Sequence, residues 1–293
     1  MALESLRRSR PVQASGAPLR PVQASGSCPS ARARRAIAYS VTELAGELHE
    51  RVAIVTGGGR GIGRAIALGY ANEGADVLIS VARNPQESAE VVALGEALPG
   101  SIQAVRADVT VARDVDRLVQ RALDVRGRID VLVNNAARGM RFVNDRFMTD
   151  PRPFWEADPR AWSMVIETNI VGVFLASRAV VPHMLAAGRG NIINITVNEA
   201  TMTRRGFSPY GPSKAALEAM TRVWEAELEG TGVALNLLAP GGATATGMVP
   251  DNVPDGVELL DPEIIVPAAL HLALTRSSGE RILANQWNDP GRG

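Results

Sequence analysis

The stretch YGPSK, Tyr210 to Lys214, sets a phenol and an ammonium four residues apart. On a helix that spacing projects both side chains from one face. An unperturbed phenol, with a pKa of about 10, is a poor base near neutrality, and a fixed ammonium beside it stabilises the phenolate and lowers that value. Such a pair can exchange a proton with an oxygen of a bound molecule. Of the 31 basic residues only Lys214 is a lysine. A chain that writes all its other positive charges as arginine keeps its one ammonium here, beside the phenol. An ordinary exposed helix charge leaves the exception unexplained.

A second constellation is TGGGRGIG. Gly57, Gly61 and Gly63 let the backbone turn sharply and approach a pyrophosphate, whose charge meets the free N–H groups at the start of a helix carrying Arg60 and Ile62. The spacing T-G-x-x-x-G-x-G differs from G-x-G-x-x-G, and a lone glycine loop can be only a tight turn. This one follows an apolar run and opens a helical pattern, which favours dinucleotide binding. The end of the next apolar run chooses the cofactor. An NAD site places a carboxylate there for the ribose 2′-hydroxyl, whereas SVARN supplies Ser80 and Arg83. Arg83 can pair with a 2′-phosphate, with Arg60 as a second contact, so NADP(H) is favoured over NAD(H). The other reading, Arg83 as a solvated surface charge, is weakened by the missing acid.

The elements that must position these residues alternate. RVAIVT, ADVLISVA, SIQAVRAD, IDVLVNNAA, GNIINIT and VALNLLAP are short apolar runs. The runs GIGRAIALGYANEG, ARDVDRLVQRALDVRG, PRAWSMVIETNIVGVFLASRAVVPHML and GPSKAALEAMTRVWEAELEG space apolar residues for helices. This predicts an α/β fold, a doubly wound, Rossmann-like parallel sheet covered on both faces, with chemistry beyond the carboxyl ends of the strands. We expect a single such domain over residues 47–293.

Six motifs in order, TGGGRGIG, ADV with Asp108, NNAA from Asn134, TNIVG with Asn169, YGPSK, and APGG with Pro240 and Gly241, resemble the short-chain dehydrogenase/reductase family over roughly residues 48–287. The resemblance implies an oxidoreductase that interconverts a carbonyl and a secondary alcohol of a small-molecule substrate by hydride transfer. It implies that Asp108 and Val109 hold the adenine, that Asn134 braces the central strand, and that Asn135 and Ala136 border the cofactor. It further implies that Pro240 and Gly241 meet the nicotinamide, that Lys214 holds the ribose hydroxyls, and that Asn169 anchors a water linking Lys214 to solvent. A homo-dimer or homo-tetramer, formed through the long helix and the Tyr210 helix, is implied in the same way.

Two positions depart from that family pattern. Its serine, thirteen residues before the tyrosine, falls on Val197, which cannot hydrogen-bond a substrate oxygen. Thr196 and Asn198 can, and Asn198 is the better candidate if the strand has ended, because its amide carries a donor and an acceptor. The family glycine after NNA is Ala137. The loss at Val197 keeps two alternatives open: a non-catalytic dinucleotide-binding regulatory protein, or an epimerase or dehydratase of the same fold. The segment RGMRFVNDRFMTDPRPFWEADPR also adds length between Asn134 and Asn169. It reads either as a lid for a substrate with an apolar body and an anionic group, Arg204 and Arg205 adding to the latter, or as a surface excursion packing its own aromatics.

A net charge of zero and a pI near 6.9 give no sign of nucleic-acid binding. One cysteine, Cys28, and three scattered histidines predict no disulfide and no metal site. The most apolar segment, NIVGVFLASRAVVPHMLAAG, carries Arg178 and His183 and reads as a packed helix, with no membrane span. Residues 1–40 hold seven arginines against Glu4 and repeat RPVQASG at Arg10–Gly16 and Arg20–Gly26. We expect residues 1–46 to be a disordered extension and the protein to be cytoplasmic, an organelle transit peptide being the alternative.

Overall fold

The computed structural model describes residues 46–288. The expected extension over residues 1–46, with its transit-peptide alternative, falls outside those residues except at Gly46.

Seven parallel strands form one sheet in the order β3-β2-β1-β4-β5-β6-β7. They are β1 (Val52–Thr56), β2 (Asp76–Val81), β3 (Ser101–Arg106), β4 (Val131–Asn134), β5 (Gly190–Ile195), β6 (Val233–Ala239) and β7 (Arg281–Leu283). Helices α1 (Gly61–Asn72), α2 (Pro85–Gly95) and α3 (Ala112–Arg126) connect the first four strands. Next come α4 (Pro159–Ile166), a π-helical turn (Glu167–Val171) and α5 (Gly172–Ala187), then α6 (Glu199–Met202), α7 (Tyr210–Glu227), α8 (Val266–Leu274) and α9 (Ala284–Trp287).

The apolar runs are buried on both sides because strand side chains alternate. Ala53 and Val55 of β1, with Val131 and Val133 of β4, face a core that includes Ile66 and Tyr70 of α1 and Leu272 of α8. Val52, Ile54 and Leu132 face the opposite core, with Leu118 of α3, Val180 and Met184 of α5. Among the described residues one continuous helical run, Pro159–Ala187, is long and apolar enough to cross a membrane. Its inner face packs on the sheet through Val173, Ala176, Val180 and Met184, while Val171 and Phe174 remain exposed.

The expected strands and helices all form. The periodicity did not reveal α2, α8, β7 or α9. Their punctuation was nevertheless present: Asn84 caps α2 by accepting from the Gln86 N–H, with Pro85 opening the helix. The sheet order reverses between β1 and β4, the crevice where such sheets bind ligands. Thr56 ties its two lips together. Its Oγ1 accepts from the Asn135 and Ala136 N–H groups at 3.0 and 3.1 Å and donates to the Val133 carbonyl at 3.2 Å.

Candidate active site

A cavity of about 980 Å³ opens over that crevice. The glycine loop forms one wall. Gly57 turns with φ +65°, in the left-handed region, and its N–H donates to Ser80 Oγ at 3.0 Å. Gly63 lies so close to the Gly57 carbonyl and the Asn135 amide that a Cβ could not be placed there. The Asn135 amide braces the loop by donating to the Thr56 and Gly57 carbonyls at 2.9 and 3.0 Å. No side chain caps the start of α1, and its first turn holds no acid. Its free N–H groups and close backbone therefore fit a pyrophosphate.

The residues expected to hold the cofactor border this one cavity, Asp108, Val109, Pro240 and Gly241 among them; Gly63 is the exception, packed behind the loop. Arg60 stands at the loop with its guanidinium 3.3 Å from Glu87, so part of its charge is already taken. The Asp108 carboxylate accepts from the Thr110 N–H and hydroxyl at 3.0 and 2.7 Å, which fixes the turn after β3. Asn134 braces the sheet interior, its amide donating to Asn194 Oδ1 at 2.8 Å and Ser177 Oγ at 3.1 Å.

Helix α7 brings Tyr210 and Lys214 to the cavity, with the ammonium 6.0 Å from the phenol ring centre. Lys214 is buried and donates to the Ile195 carbonyl at 2.8 Å. The electrostatics correct the expected depression of the phenol. Burial pushes the Tyr210 phenol up to about 12 and the Lys214 ammonium down to about 8, because desolvation disfavours each charged form. In the protein alone the pair is a neutral phenol beside a weakened cation.

Asn169 does not border the cavity; it stands behind it, fully buried in the π-helical turn. Its amide donates to the Arg138 carbonyl at 3.1 Å and to Ser213 Oγ at 2.9 Å, and its Oδ1 accepts from the Arg138 N–H at 2.8 Å. Both amide hydrogens are therefore committed to protein, which leaves only Oδ1, as an acceptor, to meet the expected water.

Strand β5 ends at Ile195, which settles where the neighbours of Val197 point. Thr196 turns inward, its hydroxyl donating to Glu218 Oε1 at 2.9 Å. Asn198 borders the cavity and caps α6: its Oδ1 accepts from the Thr201 N–H at 2.9 Å and hydroxyl at 2.6 Å. Its amide nitrogen, 3.5 Å from the Gly241 carbonyl, is weakly held and free to donate elsewhere.

The long segment after β4 divides its aromatics. Met140 and Phe147 are buried with Phe207, and Tyr210 packs against this cluster, so the phenol has an apolar wall. Phe154 and Trp155 remain exposed. Arg204 borders the cavity and lies over the Phe207 ring, whereas Arg141 is drawn to Asp251 and the Val249 carbonyl on the facing loop. Arg138 and Phe142 reach the end of β2 beside Arg83, a placement that neither the lid reading nor the surface-excursion reading of this segment anticipates. Spacing along the chain carried no signal for this. The loop from Ala243 to Val249, which closes one side of the cavity, was likewise missed beyond its APGG start. Among the described residues no three histidine, cysteine or carboxylate side chains are grouped as metal ligands.

The chain is similar to known proteins in sequence and fold. The sequence model described as short chain dehydrogenase matches residues 51–255. A 3-oxoacyl-acyl-carrier-protein reductase of Synechocystis sp. is 38% identical over 66% of this chain and 74% of its own. One of Thermotoga maritima is 33% identical over the same shares. Among solved structures, a candidate NAD(P) dependent gluconate 5-dehydrogenase of Beutenbergia cavernae, with NADP bound at low occupancy, is 30% identical with a TM-score of 0.70. It covers 83% of this chain and 98% of its own.

Proposed function

Because the chain belongs to the short chain dehydrogenase family, a family of oxidoreductases, we propose that it is an NADP(H)-preferring enzyme interconverting a small-molecule carbonyl and a secondary alcohol. One observation carries the reading: α7 presents Tyr210 and Lys214 to the same cavity that the glycine loop and the uncapped start of α1 border. When bound, the nicotinamide supplies the hydride acceptor or donor.

The chain's own groups handle the proton. With its pKa near 12, the Tyr210 phenol is protonated at neutral pH and can donate to a carbonyl oxygen as negative charge develops there. Lys214, held on the Ile195 carbonyl, supplies nearby positive charge for the phenolate left behind. Asn198 Nδ2 is the donor best placed to take the missing serine's part, since the Thr196 hydroxyl is spent on Glu218. The Met140, Phe147 and Phe207 wall gives the phenol an apolar side and suits a substrate with an apolar body. Val171 at the end of the π-helical turn, Phe174 of α5 and Val223 of α7 leave exposed apolar side chains suited to a second copy.

The test is NADPH consumption, with NADH alongside, across ketones, diketones and oxoacids. Turnover that prefers NADPH and falls about 100-fold or more in Tyr210→Phe supports the reading. Val197 favours a second one, a dinucleotide-binding protein without turnover. Tight NADPH binding with no substrate consumed, unchanged in Tyr210→Phe, would select it.

A further inference from the structure

Two guanidiniums from distant parts of the chain meet one ring at the end of β2. The Arg83 Cζ lies 5.5 Å and the Arg138 Cζ 4.8 Å from the centre of Phe142. All three border the cavity. Each cation is attracted to the ring's electron-rich face, yet the two repel one another. No carboxylate closes an ion pair with either: Glu87 pairs with Arg60 and Asp251 with Arg141, while Asp108, held by Thr110, and Glu167 act on Arg138 only at longer range. Among the described residues neither Arg83 nor Arg138 forms an ion pair. The Arg138 guanidinium is held below its usual range first by burial and then by the charge of Arg83, with Asp108 and Glu167 offsetting part of both.

Arg138 is also pre-positioned. Asn169 holds its N–H and its carbonyl, and its Nη1 donates to the Met164 carbonyl at 3.3 Å. A half-buried cation fixed against a second cation, facing a cavity, is a site that an anion with two charges stabilises. The end of the second strand is where the 2′-position of an adenosine ribose lies in such folds.

We propose that Arg138 is a determinant of cofactor selectivity: with Phe142 holding it near Arg83, the two guanidiniums together take up the phosphomonoester on the ribose 2′-carbon. This rests on the dinucleotide reading of the cavity, not on turnover.

Binding titrations test it without chemistry. NADPH, NADH and the fragments adenosine 2′,5′-bisphosphate and 5′-AMP are titrated into the full chain and into Arg138→Gln, Arg138→Lys and Phe142→Leu, with melting temperatures as a folding control. The expected result is a loss of about 10-fold or more for NADPH and the bisphosphate in Arg138→Gln, with NADH and 5′-AMP within about 2-fold. Arg138→Lys restores part of the loss, and Phe142→Leu reproduces a smaller one. Equal weakening of the phosphorylated and unphosphorylated ligands overturns the proposal, as does an unchanged ratio in Arg138→Gln. If neither dinucleotide binds, the dinucleotide reading falls with it. A collapsed ratio in a protein that turns over no carbonyl upholds this proposal and removes the enzymatic one.

Discussion

Asn169 grips the backbone of Arg138 from both sides, accepting from its N–H at 2.8 Å and donating to its carbonyl at 3.1 Å. The same amide reaches Ser213, one residue before Lys214. A single buried side chain thus ties the start of α7, which carries Tyr210 and Lys214, to the segment that leaves β4 for the end of β2.

Replacing Asn169 by alanine should therefore disturb both regions. The part-buried Arg138 N–H loses its partner, which costs up to about 1–3 kcal/mol. We expect a lower melting temperature together with weaker NADPH binding, both read by titration and thermal denaturation. A variant with wild-type affinity and impaired turnover alone would show that the grip does not position the β4 segment.

The pH dependence of reduction follows from the two shifted groups. The Tyr210 phenol, near 12, stays protonated across the working range, whereas Lys214, near 8, loses its charge as pH rises through that value. Reductive turnover should hold below about pH 8 and decline above it. A kcat profile in saturating NADPH checks this. A flat profile to pH 10 would place the Lys214 titration elsewhere.

Lys214 should lower the stability of the fold it serves. Its folded pKa lies below the usual 10.5, so the unfolded chain binds the extra proton between about pH 8 and 10.5 and stability rises with pH across that window. Below it the penalty is complete. At 1.36 kcal/mol per unit this amounts to about 3 kcal/mol before the lost Ile195 hydrogen bond is counted. Lys214→Met should melt higher than wild type at pH 7, with the difference shrinking towards pH 10.

Asn198 has two separable tasks. Its Oδ1 caps α6 through Thr201, and its Nδ2 is the candidate donor to substrate. Asn198→Asp retains the cap acceptor, so stability should change by less than about 0.5 kcal/mol, while turnover falls about 10-fold or more with the donor gone. Asn198→Ala should lose both, including about 1 kcal/mol of stability. Wild-type kcat in Asn198→Asp would leave Asn198 as a helix cap only.

What the sequence by itself determined is local and periodic. Apolar runs alternating with amphipathic ones dictated the two-sided parallel sheet, because each strand must bury both faces. The glycines of TGGGRGIG and the four-residue interval from Tyr210 to Lys214 are short-range geometry, so the loop and the shared helix face could be read without coordinates. The weakly apolar α2 and the three-residue edge strand β7 carry little such pattern and emerged only on folding. Tertiary structure alone decided whatever depends on burial or on residues far apart in the chain. Burial moved the Tyr210 and Lys214 pKa values in the directions opposite to those expected from their mutual attraction. The end of β5 at Ile195 sent the Thr196 hydroxyl to Glu218 and left the Asn198 amide at the cavity. Arg83 and Arg138 leave the ends of β2 and β4, two strands that flank β1, and only the sheet order brings their charges onto one ring.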